Sequence, residues 1–442
     1  MPNTEPPPRT SPTPPVAPAG PSPDRPPSDR PPADRSSSAR PGYRTLFRTA
    51  EFAPLLLATA AHTAAQTVSG LALGTLVYRA TDSPLLSALS MFGPSLAQVL
   101  GATLLLSGSD RLRPRAALAG ISLSFAAGTA VLALPGLPIA AVFAVVLALG
   151  LIASLGGGVR WGLLNEILTK DGYLPGRSVF NMMSGIMQIT GYAAGGVLVA
   201  VLSPRTALLS ATALHLAAAL VLRLGLTARP PRAAGRPSVA ATWRTNAVLW
   251  SARPRRLIYL GLWIPNGLVV GCESLYVSYA PDAAGTLFAC AALGMLAGDA
   301  TVGRLLPQRV RARLATPLLV LLAAPYAVFA LRPAVPLAAV CVALASVGFG
   351  ASLVQQERLM ALTPDELGGH ALGLHSAGML TMQGVGAALA GAVAQLTSPG
   401  AGMTAMAAAS LAVTLALAAS GRREGGIRRG REPRTAADRP AR

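Results

Sequence analysis

Twelve apolar runs, each close to the roughly 20 residues that a helix needs to cross a bilayer, recur along this chain and leave it few other ways to fold. They fall at about 52–78, 84–106, 116–134, 138–160, 178–202 and 205–225, and, after a polar stretch, at about 257–279, 284–306, 315–331, 335–355, 370–396 and 401–420. We number them spans 1 to 12. Backbone groups inside a membrane must be satisfied within the segment, so runs of this length read as helices even where proline and glycine interrupt them. Of 442 residues, 52% are hydrophobic and only 12% charged, which excludes an ordinary soluble enzyme.

An internal repeat divides the runs in two. Gln188-Ile-Thr-Gly191-Tyr-Ala193-Ala-Gly195-Gly196 and Gln383-Gly-Val-Gly386-Ala-Ala388-Leu-Ala390-Gly391 match at an offset of 195, as do Ser203-Pro204 and Ser398-Pro399. Each copy spaces small residues along an apolar run, the pattern of a membrane helix packed closely against a neighbour. The expected fold is therefore all-α: twelve membrane helices in two pseudo-symmetric bundles, residues 43–226 and 257–421. A basic linker, 227–256, joins them.

The basic residues test this count. With the N-terminus inside, the five inner connections carry 19 Lys and Arg, eight of them between Arg223 and Arg256, and the outer ones carry three, Arg79, Arg205 and Arg332. That asymmetry puts both termini in the cytoplasm, in a plasma-type membrane. It also explains the net charge of +19 without a nucleic-acid partner, since no soluble domain remains to bind one. Eight arginines between Arg422 and Arg442 lie beside the inner leaflet, where each gains about 1 kcal/mol from anionic lipid.

Residues 1–42 hold 15 of the 38 prolines and an Asp-Arg-Pro-Pro echo at Asp24 and Asp29, a composition that builds no core and is not a signal peptide. Cys272, Cys290 and Cys341 sit singly in apolar runs, so no disulfide framework and no metal site is expected. No Gly-x-x-x-x-Gly-Lys-Ser/Thr loop and no catalytic constellation appears: the chain reads as neither an enzyme nor an ATPase, with no cofactor.

Polar groups at membrane depth are costly and usually face a bundle interior, so they are the site candidates. Span 5 places Asn181, Ser184 and Gln188 on one face, and span 11 repeats the stripe as Ser376 and Gln383. Span 7 is interrupted by Pro265-Asn266-Gly267, where the proline leaves a carbonyl without its donor. Glu273, seven residues beyond Asn266 on the same face, is the one carboxylate well inside any expected span, and it can carry a proton if its cavity is apolar. His62 and Gln66 form a second polar face on span 1.

Between spans 2 and 3 stands Gly108-Ser-Asp110-Arg111-Leu-Arg113-Pro-Arg115, with a weaker echo at Gly298-Asp299 and Gly303-Arg304. With twelve spans, two halves and a basic linker, this loop resembles the major facilitator superfamily over residues 43–421. It departs from the family pattern at Leu106 and Arg113, where glycine is usual. The resemblance implies alternating access about a central site built from spans 1, 4, 7 and 10, with Asp110 and Arg111 as a conformational latch and Arg160 as its partner. Gly191 to Gly196 is similar to the glycine-rich signature of the family's exporters, including multidrug-efflux members, with Tyr192 where they carry proline.

Together these readings give a secondary transporter moving a small organic molecule, outward and against protons, with Glu273, Asn266, His62, Gln66, Asn181, Gln188 and Gln383 along the pathway. Gly191, Gly195, Gly196, Gly386 and Gly391 would serve helix packing. With no arginine expected at mid-membrane, the substrate would be apolar or weakly cationic. The alternatives are an importer, or a membrane sensor or scaffold that keeps the fold without transport.

Overall fold

The computed structural model describes residues 46–109, 112–168, 170–231 and 239–429. Eleven of its helices are long and apolar enough to cross a membrane. Span 1, Phe52–Thr81, completes the twelve at 30 residues, with His62, Gln66 and threonines among its apolar residues. Spans 2 to 6 are Pro84–Ser109, Pro114–Leu132, Ile139–Ile167, Lys170–Val201 and Pro204–Gly225. Span 7 is Arg253–Ser274 continued by Tyr276–Tyr279, and span 8 is Ala284–Ala300 ending in a π-helical turn, Thr301–Leu305. Span 9 is Gln308–Ala323 tightening to a 3₁₀ stretch, Ala324–Leu331. Span 10 is Val335–Val347 and Ala351–Ala361 across a 3₁₀ turn, span 11 is Gly368–Leu396, and span 12 is Pro399–Arg429. There is no strand among the described residues.

The repeat is visible in the helix starts. The Ser203 hydroxyl accepts from the Thr206 amide at 3.1 Å, and 195 residues later the Ser398 hydroxyl accepts from the Ala401 amide at 3.2 Å. In each case the following proline occupies a first-turn position where no donor is needed.

Within the first half, span 1 packs on spans 5 and 6, span 2 on span 4, and span 3 on span 6; within the second, span 7 packs on spans 11 and 12, and span 8 on span 10. Lipid tails are as apolar as leucine, so such pairs are held by close van der Waals contact, which small residues permit. Spans 7 and 11 show this most plainly. Gly267 and Gly271, four residues apart, lie against Met382 and Gly386, and a Cβ at Gly271 would stand 2.5 Å from the Gly386 carbonyl oxygen.

The halves join along a seam at the end of the molecule that carries the turns at 82–83 and 280–283. Span 5 meets span 8 and span 11 meets span 2 there. On one edge a Cβ at Gly196 would lie 2.8 Å from Gly285 Cα, and Tyr192 stacks on Phe288 at 4.6 Å. On the other, a Cβ at Gly391 would lie 2.8 Å from Leu85 Cα, and Ser83 donates to Gln395 at 2.7 Å. Arg79 and Asp282 pair across the top at 3.8 Å.

At the opposite end the same faces part. Asn181 and Gly185 are eleven and seven residues before Tyr192, on its helical face, yet Asn181 is exposed and a Cβ at Gly185 meets nothing within 4 Å. Gly373 stands in the same relation to Gly391 on span 11, and Gly369 and Gly373 likewise face open space. A cleft therefore runs between the halves from this end to the seam.

The linker is more ordered than a plain tether. Val239–Ser251 is a helix, and its Trp250 stacks on Trp263 at 5.5 Å and Tyr259 at 6.1 Å, both on span 7.

Candidate functional site: the cleft between the halves

Span 5 supplies the first wall of the cleft. Half-buried Arg177, exposed Asn181, and half-buried Ser184 and Gln188 follow one another toward Tyr192 on the helical face that closes at the seam. On span 11, Ser376 is exposed and Gln383 half-buried.

Span 4 departs from its expected end. The apolar run stops at Arg160, but the helix continues through Asn165 and Glu166 to Ile167. Arg160 consequently lies about 10 Å inside the helix end, at 1.5 Å per residue, half-buried and with its Nε enclosed and without a hydrogen-bond partner. Asp110 and Arg111, the other members of the expected latch, lie outside the described residues. An arginine within the inner part of a span also removes the ground for expecting an apolar or cationic substrate.

Span 7 carries the buried polar groups. The helix passes through Pro265 unbroken, and the break comes instead at Leu275, two residues after Glu273. Asn266 is fully buried: its Nδ2 donates to the Leu262 carbonyl at 2.5 Å, and its Oδ1 has no partner. Its amide nitrogen is thus bonded back onto its own helix. Glu273 is 8% exposed with Oε1 unpartnered, at the seam end of the cleft. Close by, the hydroxyls of Tyr276 and Tyr326 hydrogen-bond one another, and Tyr276 sets its ring edge against Phe288 at 4.8 Å.

His62 and Gln66 separate. His62 points to span 6, where its Nδ1 lies 3.2 Å from Nδ1 of buried His215, with Phe125 edge-on at 4.9 Å. Gln66 is exposed on the adjacent face. The packing glycines divide by partner. Gly191 and Gly195 lie against Thr67 and Val68 of span 1, and Gly386 against the Gly267 carbonyl, all within one half; Gly196 and Gly391 lie on the seam.

One charged cluster has no counterpart in the sequence reading. Just before span 1, Glu51 accepts from the Thr227 amide at 2.5 Å and pairs with Arg229 at 2.5 Å, and Arg229 reaches Glu166 at 3.1 Å. Burial alone would push the Glu51 carboxyl up, but the Thr227 hydrogen bonds and Arg229 outweigh it and hold the group below the usual carboxylate range. These groups fix the start of the linker to the open end of the first half.

Solved structures with the same helix arrangement are numerous. A bacterial homologue of the human lysosomal transporter Spinster, inward-facing and unoccupied, aligns with a TM-score of 0.63 at 13% identity, over 84% of this chain and 96% of that one. The nucleoside transporter NupG aligns at 0.67 and 14%, over 84% and 98%. A POT family transporter in complex with 5-aminolevulinic acid aligns at 0.67 and 11%, over 83% and 95%. The fold is the major facilitator fold. Identity this low establishes architecture alone. No family model matches the sequence, and no curated protein does.

Proposed function

We propose that this chain is a secondary transporter that moves a small organic molecule through the cleft by alternating access. The observation that carries the reading is the pairing of a symmetric seam at one end with an open cleft at the other, in a fold shared with the Spinster homologue, NupG and the POT transporter. Residues 43–226 and 257–421 are the two moving bodies. The arginine-rich connections lie at the cleft end, so in this reading that end faces the cytoplasm and both termini lie there. The seam must part for the other side to gain access.

Glu273 is the coupling group in this proposal. A buried carboxyl group with an unpaired oxygen is costly as an ion and stable as the neutral acid. It therefore holds a proton while the seam is shut and releases it when the seam opens to water. Export follows from the resemblance of the span 5 glycines to the exporters.

An untargeted comparison of small molecules inside and outside cells, with and without the protein, tests the whole reading. A compound that accumulates inside when the protein is absent supports export. A compound left in the medium reverses the direction, and no difference across growth conditions overturns transport.

A further inference from the structure

We infer that the cleft contains an oxyanion site at Arg160 and Arg177, so that the molecule it takes carries a carboxylate or phosphate group. Both guanidinium groups lie over the single indole of Trp161, each 5.3 Å from the ring centre. Trp161 is itself braced edge-on by Phe180 at 6.0 Å, and Phe180 by Phe52 at 5.7 Å, which fixes the platform the two cations share.

Two half-buried cations on one ring call for an anion, and among the described residues neither has a carboxylate partner. Glu166, one turn and a half along span 4, is engaged by Arg229 instead. The Nε of Arg160 is enclosed without an acceptor, while its terminal nitrogens are not enclosed and are the donors an anion can reach.

Guanidinium forks match carboxylate and phosphate oxygens with two parallel hydrogen bonds, which an ammonium group cannot do. Asn181, four residues from Arg177 on the same face, and Gln188 beyond it supply neutral donors and acceptors for the remainder of the molecule. This deepens the transporter reading and rests on it for the fate of the bound molecule. The binding itself does not require transport.

The test uses the full-length protein in nanodiscs of neutral phosphatidylcholine, with benzoate, benzamide and inorganic phosphate as probes, and thermal midpoint and tryptophan fluorescence as readouts. Benzoate and phosphate should raise the midpoint and alter the fluorescence, and benzamide should do neither. Arg160→Gln and Arg177→Gln should each weaken benzoate by about tenfold or more, the loss of one charge-assisted pair, and Arg160→Lys should fall between. Equal responses to benzoate and benzamide, responses unchanged in both glutamine variants, or no response to either anion overturn the site. Repeating the titration in phosphatidylglycerol discs separates the occupants: a preserved response supports a soluble anion, and a lost one assigns the site to lipid headgroups and overturns the substrate claim. Anion binding without flux would overturn the transport reading and leave the site standing.

Discussion

Glu273→Gln keeps the shape and one hydrogen-bonding oxygen of the side chain while removing the group that can change charge. Proton-driven flux should fall at least about tenfold, the effect of losing a proton-transfer group, while expression and insertion stay level. Unchanged proton-driven flux in vesicles would remove Glu273 from the mechanism. Glu51 carries a different prediction. Its folded-state carboxyl titrates below the ordinary range, so its contribution to stability is complete at neutral pH and disappears as pH falls through that lowered value. Glu51→Gln should cost about 1.5–3 kcal/mol, the worth of hydrogen bonds to a charged group, and should flatten the acid side of a melting-temperature profile. The sequence made Glu273 conspicuous because a lone carboxylate in an apolar run needs only local context to be noticed. It could not reveal Glu51, whose partner Thr227 is 176 residues away, or the pairing of His62 with His215 across 153.

Helix ends and breaks were the least legible elements, for reasons that can be named. Hydropathy ends span 4 at Arg160, yet the helix continues through exposed Asn165 and Glu166, whose carboxylate pairs with the linker's Arg229. Pro265 suggests a break, but the helix runs through it from Arg253 to Ser274, and the Ser410 hydroxyl of span 12 donates to the Pro265 carbonyl at 3.2 Å. The linker's composition speaks of a tether, while one tryptophan is enough to dock a helix on span 7. The long runs, the repeat and the small-residue pattern needed no such help. Gly271→Leu tests one of these close pairings: with the Gly386 carbonyl 2.5 Å from where a Cβ would sit, spans 7 and 11 must separate. We expect a loss of at least about 1–3 kcal/mol, seen as a lower unfolding temperature in detergent, and Gly185→Leu, which faces open space, should leave that temperature within about a degree or two.

At the scale of the molecule, alternating access requires the seam to open. Cysteines replacing Ser83 and Gln395, whose side chains meet at 2.7 Å, should be bridged by a short reducible bis-thiol reagent, since cysteine is shorter than glutamine, in a cross-link that stops flux and releases it on reduction. Flux that continues through the cross-link would show that this edge need not part. A cysteine replacing Asn181 should react with a membrane-impermeant thiol reagent from the cytoplasmic side before cross-linking and after it, because closure at the seam leaves the cleft open. Reaction only from the other side would reverse the orientation.

The two edges of the seam are related by the repeat, yet they are not chemically equal. On one edge two glycines meet backbone to backbone; on the other a glycine meets a leucine. In a library of random variants the first edge should tolerate almost nothing at either position. The second should accept other aliphatic residues at 85 while rejecting change at 391. A duplicated gene would thus have been left with one edge nearly frozen and the other free to drift, and any later tuning of how readily the protein opens would accumulate on the leucine side.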